Sequence, residues 1–350
     1  MKTAKERNLN LDLIRCVALV AVLVMHYYDN SGFYTVVMDS PGDFAMAALR
    51  LLFTVCVPFF LMLTGYLCHR KILSRRYYLG LLRILELYVL CAFACMAFEH
   101  FYLGQQYGLR GVASNLLNFN ACGYSWYVLL YFGLFLMIPF LNMMYHGCSS
   151  RNQKLVLIGT FFALSILPSL LNSYFHLYSL WWSKLYPLCY YFTGAYLSEY
   201  MPAKRPRRYG LILLAALLLF CGFNQFHFQA SASEYMGVHY DHYQVYALAL
   251  LGFLFLNSLD FSACPALLER LVHTVAELSF SAYLLSWISD GILYRVFVPF
   301  FPQPEDRFLW ILVLVPVSLL ASLLMAQIVH WIYKPIDRPI RSWLSRRLGE

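Results

Sequence analysis

Charge is what this chain has least of. Of its 350 residues only 13% are Asp, Glu, Lys or Arg, and no polar stretch is long enough to fold as a separate soluble domain. A water-soluble globule of this length carries about twice that share of charge. Also missing are a CxxC pair, a repeat of fixed period, a low-complexity tract, and a small-residue cleavage site after the first apolar segment. Each absence closes a route: a soluble enzyme, a thiol-based redox or metal motif, a solenoid, and a cleaved signal. The first apolar segment is therefore expected to stay in the mature chain.

What remains is apolar. Hydrophobic residues make up 61% of the chain and aromatics 18%, with a mean hydropathy of +0.59. Spanning a hydrocarbon core takes roughly 17 to 25 apolar residues. Such runs lie near 9–28, 44–67, 79–100, 124–145, 154–172, 183–200, 209–226, 243–259, 274–295 and 308–333. The composition predicts an all-α polytopic membrane protein of about ten helices. It reads as a single membrane-embedded domain over 1–350, with 334–350 as a basic tail.

Lys and Arg are unevenly shared between the connections. The segments 1–8, 68–78, 146–154, 200–208, 260–273 and 334–350 hold 19 of them, against Arg110, Lys184 and Arg307 on the other set. By the positive-inside rule both termini are cytoplasmic, which requires an even number of spans. The net charge of +8 sits in short juxtamembrane clusters such as "HRKILSRR" and "AKRPRR". These suit orientation and anionic lipid of the bilayer, so no nucleic-acid partner is expected. The ten cysteines lie mostly inside spans and read as small core residues. The histidines of the outer loop 226–243, His227, His239 and His242, lack the spacing of a metal site, and none is expected.

Chemistry is then sought among ionisable groups inside the membrane, where a charge is costly and marks function. The first span, "LDLIRCVALVAVLVMHYYDN", carries three. At about 100° per residue, Asp12 and Arg15 lie on one side, and Arg15 and His26, eleven residues apart, return to within about 20°. All three share one stripe expected to face the protein interior. Asp12 and Arg15 are near enough to compensate each other, whereas His26 is about 16 Å further along the axis. The residues alone leave two readings open: an ion pair with an interfacial histidine, or a reactive stripe.

Further motifs narrow the choice. "VPFFLMLTGYL" at 57–67, "GYSWYVLLYFGLFLMIPFLN" at 123–142 and "YKPIDRPI" at 333–340 follow in order, and together with Arg15 and His26 they resemble the membrane-bound acyltransferase 3 family. The resemblance runs from about residue 8 to residue 340. In "LSFSAYLLSWISD" many members have a histidine where this chain has Ser286; with Asp290, that pattern looks like a Gram-positive subgroup associated with surface polysaccharides.

The resemblance implies transfer of an acyl group, acetyl most often and succinyl as an alternative, from acyl-CoA to a hydroxyl of a carbohydrate or lipid-linked glycan. It also implies a bacterial plasma membrane setting. His26 is the expected general base, since a neutral imidazole can take a hydroxyl proton near neutral pH. Arg15 is expected to bind a carbonyl or phosphate oxygen of the donor, with Asp12 holding its guanidinium. Arg75, Arg76 and Arg83, at the inner end of the third span, are the expected contacts for the CoA phosphates. Trp126, Tyr127, Tyr283 and Asp290 are expected to face the acceptor. Trp126 and Tyr127 read equally as aromatic-belt anchors, and Tyr283 and Asp290 as structural hydrogen-bonders.

Arg50 is expected to pair with Asp290 or Glu99. His26 lies about 25 Å from Leu9, near the outer face, so the pantetheine arm is expected to thread inward to it. No appended hydrolase-like domain is expected, so transfer finishes within the bundle or on a separate partner. Two other classes fit the same polar interior: a transporter or flippase for an envelope precursor, and a membrane sensor or non-catalytic partner.

Overall fold

The computed structural model describes residues 7–172, 179–228 and 238–347. The middle of the histidine-bearing outer loop and the last three residues of the basic tail lie outside the described residues. Helices make up most of the described chain, and no strand occurs in it. They are α1 (Leu9–Ser31), α2 (Pro41–Phe53), α3 (Cys56–Cys68), α4 (Arg75–Phe101), α5 (Leu109–Leu117), α6 (Trp126–Gly147) and α7 (Arg151–Ser165). There follow α8 (Pro168–Leu171), α9 (Tyr186–Glu199), α10 (Pro206–Phe228), α11 (Tyr243–Ser258), α12 (Ala266–Phe297) and α13 (Ile311–Arg347).

Eight helical segments are long and apolar enough to cross a membrane, with α2 and α3 forming one of them and α7 and α8 another. The remaining two expected spans are shorter: α11 has 16 residues and α9 has 14, extended at its start by a 3-10 segment, Leu180–Leu185. Most of α9 is buried, so it is shielded from lipid by its neighbours and need not satisfy the full length rule alone. Residues 334–347, expected as a tail, continue α13 as helix.

The helix ends are set by local chemistry. Asn8, Ser40, Ser74 and Ser150 accept backbone N–H groups at the starts of α1, α2, α4 and α7, and Ser40 and Ser150 do so in reciprocal capping boxes with Asp43 and Gln153. Gly32 ends α1 with a left-handed φ of 77°.

Helix ends that border the lysine- and arginine-rich segments are tied to one another and form a basic face. Asn10 donates to the carbonyls of Leu256 and Leu259, Asn142 to those of Cys68 and Lys71, and His146 lies 2.8 Å from the carbonyl of His69. Lys154 and Glu199 pair at 2.5 Å, and His330 and Glu277 at 3.2 Å.

Two packing features position the site. α1 is central: it touches α2, α3, α11, α12 and α13, and Ile14, Ala18, Leu19 and Ala21 are fully buried. α3 and α9 cross in direct backbone contact, since a Cβ at Gly65 would fall on the carbonyl of Tyr191, and one at Gly194 on that of Met62. Small residues let membrane helices approach this closely, where lipid gives no hydrophobic push.

Candidate active site

His26 is buried on α1 and packed from three directions. Its ring stacks on Tyr124 at 3.4 Å and 18°, while its Nδ1 lies 3.3 Å from Ser286 Oγ and 3.6 Å from Asp290 Oδ2, both on α12. Ser286 and Asp290 are four residues apart, so one face of α12 supplies both. Asp290 is itself fixed: the Ser318 hydroxyl donates to Oδ1 at 2.6 Å and the Tyr124 hydroxyl to Oδ2 at 3.1 Å. Asn30, one turn after His26, donates to the Tyr124 oxygen at 2.9 Å and to the His26 carbonyl at 2.7 Å.

This network sets the tautomer. The single hydroxyl proton of Ser286 goes to the Tyr283 carbonyl at 2.8 Å, so the Ser286 oxygen faces Nδ1 as an acceptor. The carboxylate of Asp290 is an acceptor too. The tautomer assignment that suits these neighbours puts the proton on Nδ1 and the lone pair on Nε2.

At the other end of the stripe, Asp12 is buried and surrounded by hydrogen-bond donors. Arg15 Nη1 lies 2.8 Å from Oδ1, His273 Nδ1 lies 2.7 Å from Oδ2, and Arg7 also pairs with Oδ2. As the helical arithmetic requires, His26 is not in this group.

A cavity of about 960 Å³ joins the two ends. Arg15, Cys68 and Arg83 line it toward the basic face, His26 and Tyr127 lie along it, and Asp29, Arg50, Trp126 and Tyr240 line it toward the opposite face. Trp126 stacks on Tyr240 at 5.7 Å and 22°, which makes it a wall of the cavity rather than only a membrane anchor. The Tyr127 hydroxyl is buried and, among the described residues, has no hydrogen-bond partner. Such a group costs free energy unless a ligand or water meets it. Tyr283 also lines the cavity, with its hydroxyl donating to the Tyr124 carbonyl.

Several expectations need correction. Asp290 is not among the cavity-lining residues; it is buried, with Oδ2 3.6 Å from His26 Nδ1. Asp12 likewise is not among the lining residues, whereas Arg15, with which it pairs, is. Arg75 and Arg76 are exposed on the first turn of α4 and are not among the lining residues, whereas Arg83 is, with its guanidinium 5.9 Å from the Tyr333 ring centre.

Arg50 pairs with neither expected carboxylate: its Nε donates to the Tyr34 hydroxyl at 3.1 Å. Glu99 instead accepts from Tyr107 at 2.5 Å and Trp287 at 2.9 Å. Arg307, expected in an outer loop, is buried and donates to the carbonyls of Ser31, Phe301 and Pro302, tying down the end of α1. In the histidine-bearing loop, His239 lines the cavity and His242 caps α11.

Asp29, Tyr124, Asn30 and Ser318 had been given no role. Asp29 was visible as the residue three after His26 on the same helix face. The others carried no signal, because their pairing crosses between helices.

A family model described as an acyltransferase domain, that of acyltransferase family 3, matches residues 8–327, nearly the whole chain. The closing segment 333–340 lies beyond the match. No curated protein and no solved structure matches.

Proposed function

The chain belongs to acyltransferase family 3, and on that premise we propose that it moves an acyl group, acetyl first, from acyl-CoA to a hydroxyl of an envelope carbohydrate, with His26 as general base. One observation carries this reading. The Ser286 and Asp290 acceptors hold the proton on Nδ1, so Nε2 is left basic on a residue that lines the cavity.

The steps follow from these groups. Acyl-CoA enters from the basic face, where Arg15 and Arg83 attract its phosphates. Asp12 keeps Arg15 aligned. The thioester lies along the stripe toward His26, about 16 Å on from Arg15. Nε2 of His26 takes the proton of the acceptor hydroxyl as its oxygen attacks the thioester carbonyl carbon.

Asp290 steadies the imidazolium that forms, as an orienting carboxylate does in hydrolase triads. The Tyr127 hydroxyl, otherwise without a partner among the described residues, donates to the carbonyl oxygen as negative charge develops there. Collapse of the tetrahedral intermediate breaks the C–S bond. The imidazolium returns its proton to the leaving sulfur, giving an ester and free CoA.

Trp126, stacked on Tyr240, offers an aromatic face to a sugar ring at the opposite end. An acceptor arriving from outside and a donor from inside would then meet at His26.

The test uses full-length protein in liposomes given acetyl-CoA labelled in the acetyl group together with candidate glycans. The reading expects label to move into ester linkage on a glycan. Glycan crossing the bilayer without acquiring label would instead assign a transporter.

A further inference from the structure

One carboxylate in the cavity has no part in the proton transfer. Asp29 follows His26 by three residues on α1, which sets it about 4.5 Å further along the axis on the same wall. It is exposed to the cavity, while its neighbours Tyr27 and Tyr28 are fully buried. A carboxylate facing a cavity inside a membrane bundle is costly to keep and marks a ligand contact.

Its surroundings specify which ligand. Tyr34 lies beside Asp29 and accepts from Arg50 Nε at 3.1 Å, so the tyrosine hydroxyl sits between an anion and a cation. Arg50 also donates through Nη2 to the Val238 carbonyl at 3.4 Å, and its guanidinium lies 5.1 Å from the Tyr34 ring centre. An ionised carboxylate offers about four acceptor sites and a guanidinium five donors. Tyr34 and Val238 occupy a minority of them.

This end of the cavity therefore presents spare acceptors and spare donors in near balance of charge. An anionic ligand gains from Arg50 and loses to Asp29; a cationic one does the reverse. An uncharged ring of adjacent hydroxyls, each both donor and acceptor, gains from both, and Trp126 on Tyr240 provides a flat apolar face beside it. The carboxylate is best suited to accept from two neighbouring hydroxyls at once.

We propose that Asp29, steadied by Tyr34 and Arg50, selects the acceptor, and that the acceptor is an uncharged pyranose held by two adjacent hydroxyls so that a further hydroxyl faces His26 Nε2. This rests on the acyltransferase reading for the role of His26, but the binding site itself does not require it. The residue sets which hydroxyl is acylated, because moving the anchored pair around the ring moves the attacking oxygen.

The test is equilibrium binding to full-length protein in nanodiscs. The probes are methyl glucoside, galactoside and mannoside, with methyl glucuronide and methyl glucosaminide as charged counterparts. Wild-type protein is expected to bind at least one uncharged pyranoside more tightly than either charged one. Asp29→Asn is expected to weaken that binding roughly tenfold or more, the usual effect of losing charge-assisted hydrogen bonds. Its affinity for CoA, measured in the same preparation, should stay at the wild-type value and so reports that the bundle is intact. Should that variant not assemble, Tyr34→Phe removes the hydroxyl between Asp29 and Arg50 and is expected to weaken pyranoside binding severalfold.

Unchanged pyranoside affinity in these variants, preference for a charged probe, or no pyranoside binding by wild type would each overturn the assignment. Failure of the acyltransferase reading is read separately, as absence of acetyl-CoA binding and turnover in the same nanodiscs.

Discussion

Nδ1 of His26 on α1 lies 3.6 Å from Oδ2 of Asp290 on α12, and Ser318 and Tyr124 hold that carboxylate from its other sides. The pair joins residues 264 positions apart in the chain and gives the histidine a fixed orientation.

Asp290 acts through His26, so its loss should affect chemistry more than binding. Asp290→Asn is expected to lower kcat about a hundredfold or more, with KM for acetyl-CoA little changed, because the amide can hold Nδ1 in the wrong tautomer. Asp290→Glu should recover part of the rate, and the acidic limb of the pH–rate profile, which reports the general base, should move. A merely structural aspartate would instead lower the yield of folded protein and leave the profile in place.

Asp12 balances Arg7, Arg15 and His273. Replacing it by Ala leaves Arg7 and Arg15 without their buried counter-ion. The expected cost is about 3 kcal/mol, the lower end for breaking a buried pair, since Arg7 is partly exposed. Thermal unfolding in detergent should show the loss, and KM for acetyl-CoA should rise as Arg15 loses its alignment.

The crossing of α3 and α9 tolerates no Cβ. Gly194→Ala is expected to destabilise by at least about 2 kcal/mol, because backbone and not a movable side chain stands in the way. Gly133→Ala, where nothing lies within 4 Å of the new atom, serves as the neutral comparison in the same unfolding measurement.

His242 caps α11 by accepting the Gln244 N–H on Nδ1 at 3.4 Å, and burial, with His239 nearby, pushes its pKa down to about 4. The unfolded chain, with an ordinary histidine value of about 6.5, binds more protons between those limits, so stability falls as pH drops from about 6.5 toward 4. Melting temperature against pH should show this slope. His242→Asn keeps a capping acceptor that does not titrate, and should flatten it.

Along one helix the sequence was a reliable guide. Arg15 and His26 lie on one cavity wall because eleven residues make nearly whole turns, and Asp12 meets Arg15 because three residues make most of one.

Across helices the sequence said little. Asp290 and Arg50 both read as polar groups near the outer half, yet one lies beside His26 and the other beside Tyr34, and only the packing of α12 and α2 against α1 decides which. Lengths were uncertain for a related reason. α9 and α11 are flanked by other helices, so protein takes the place of lipid around them and shorter segments suffice.

The central claim is that Nε2 of His26 removes the acceptor proton. The most direct measurement compares acyl transfer from labelled acetyl-CoA by wild type and His26→Ala, reconstituted at equal amounts, with CoA affinity determined on the same samples. The account predicts that the variant binds CoA as wild type does and transfers label at least a hundredfold more slowly. Transfer by His26→Ala within a few fold of wild type would contradict it.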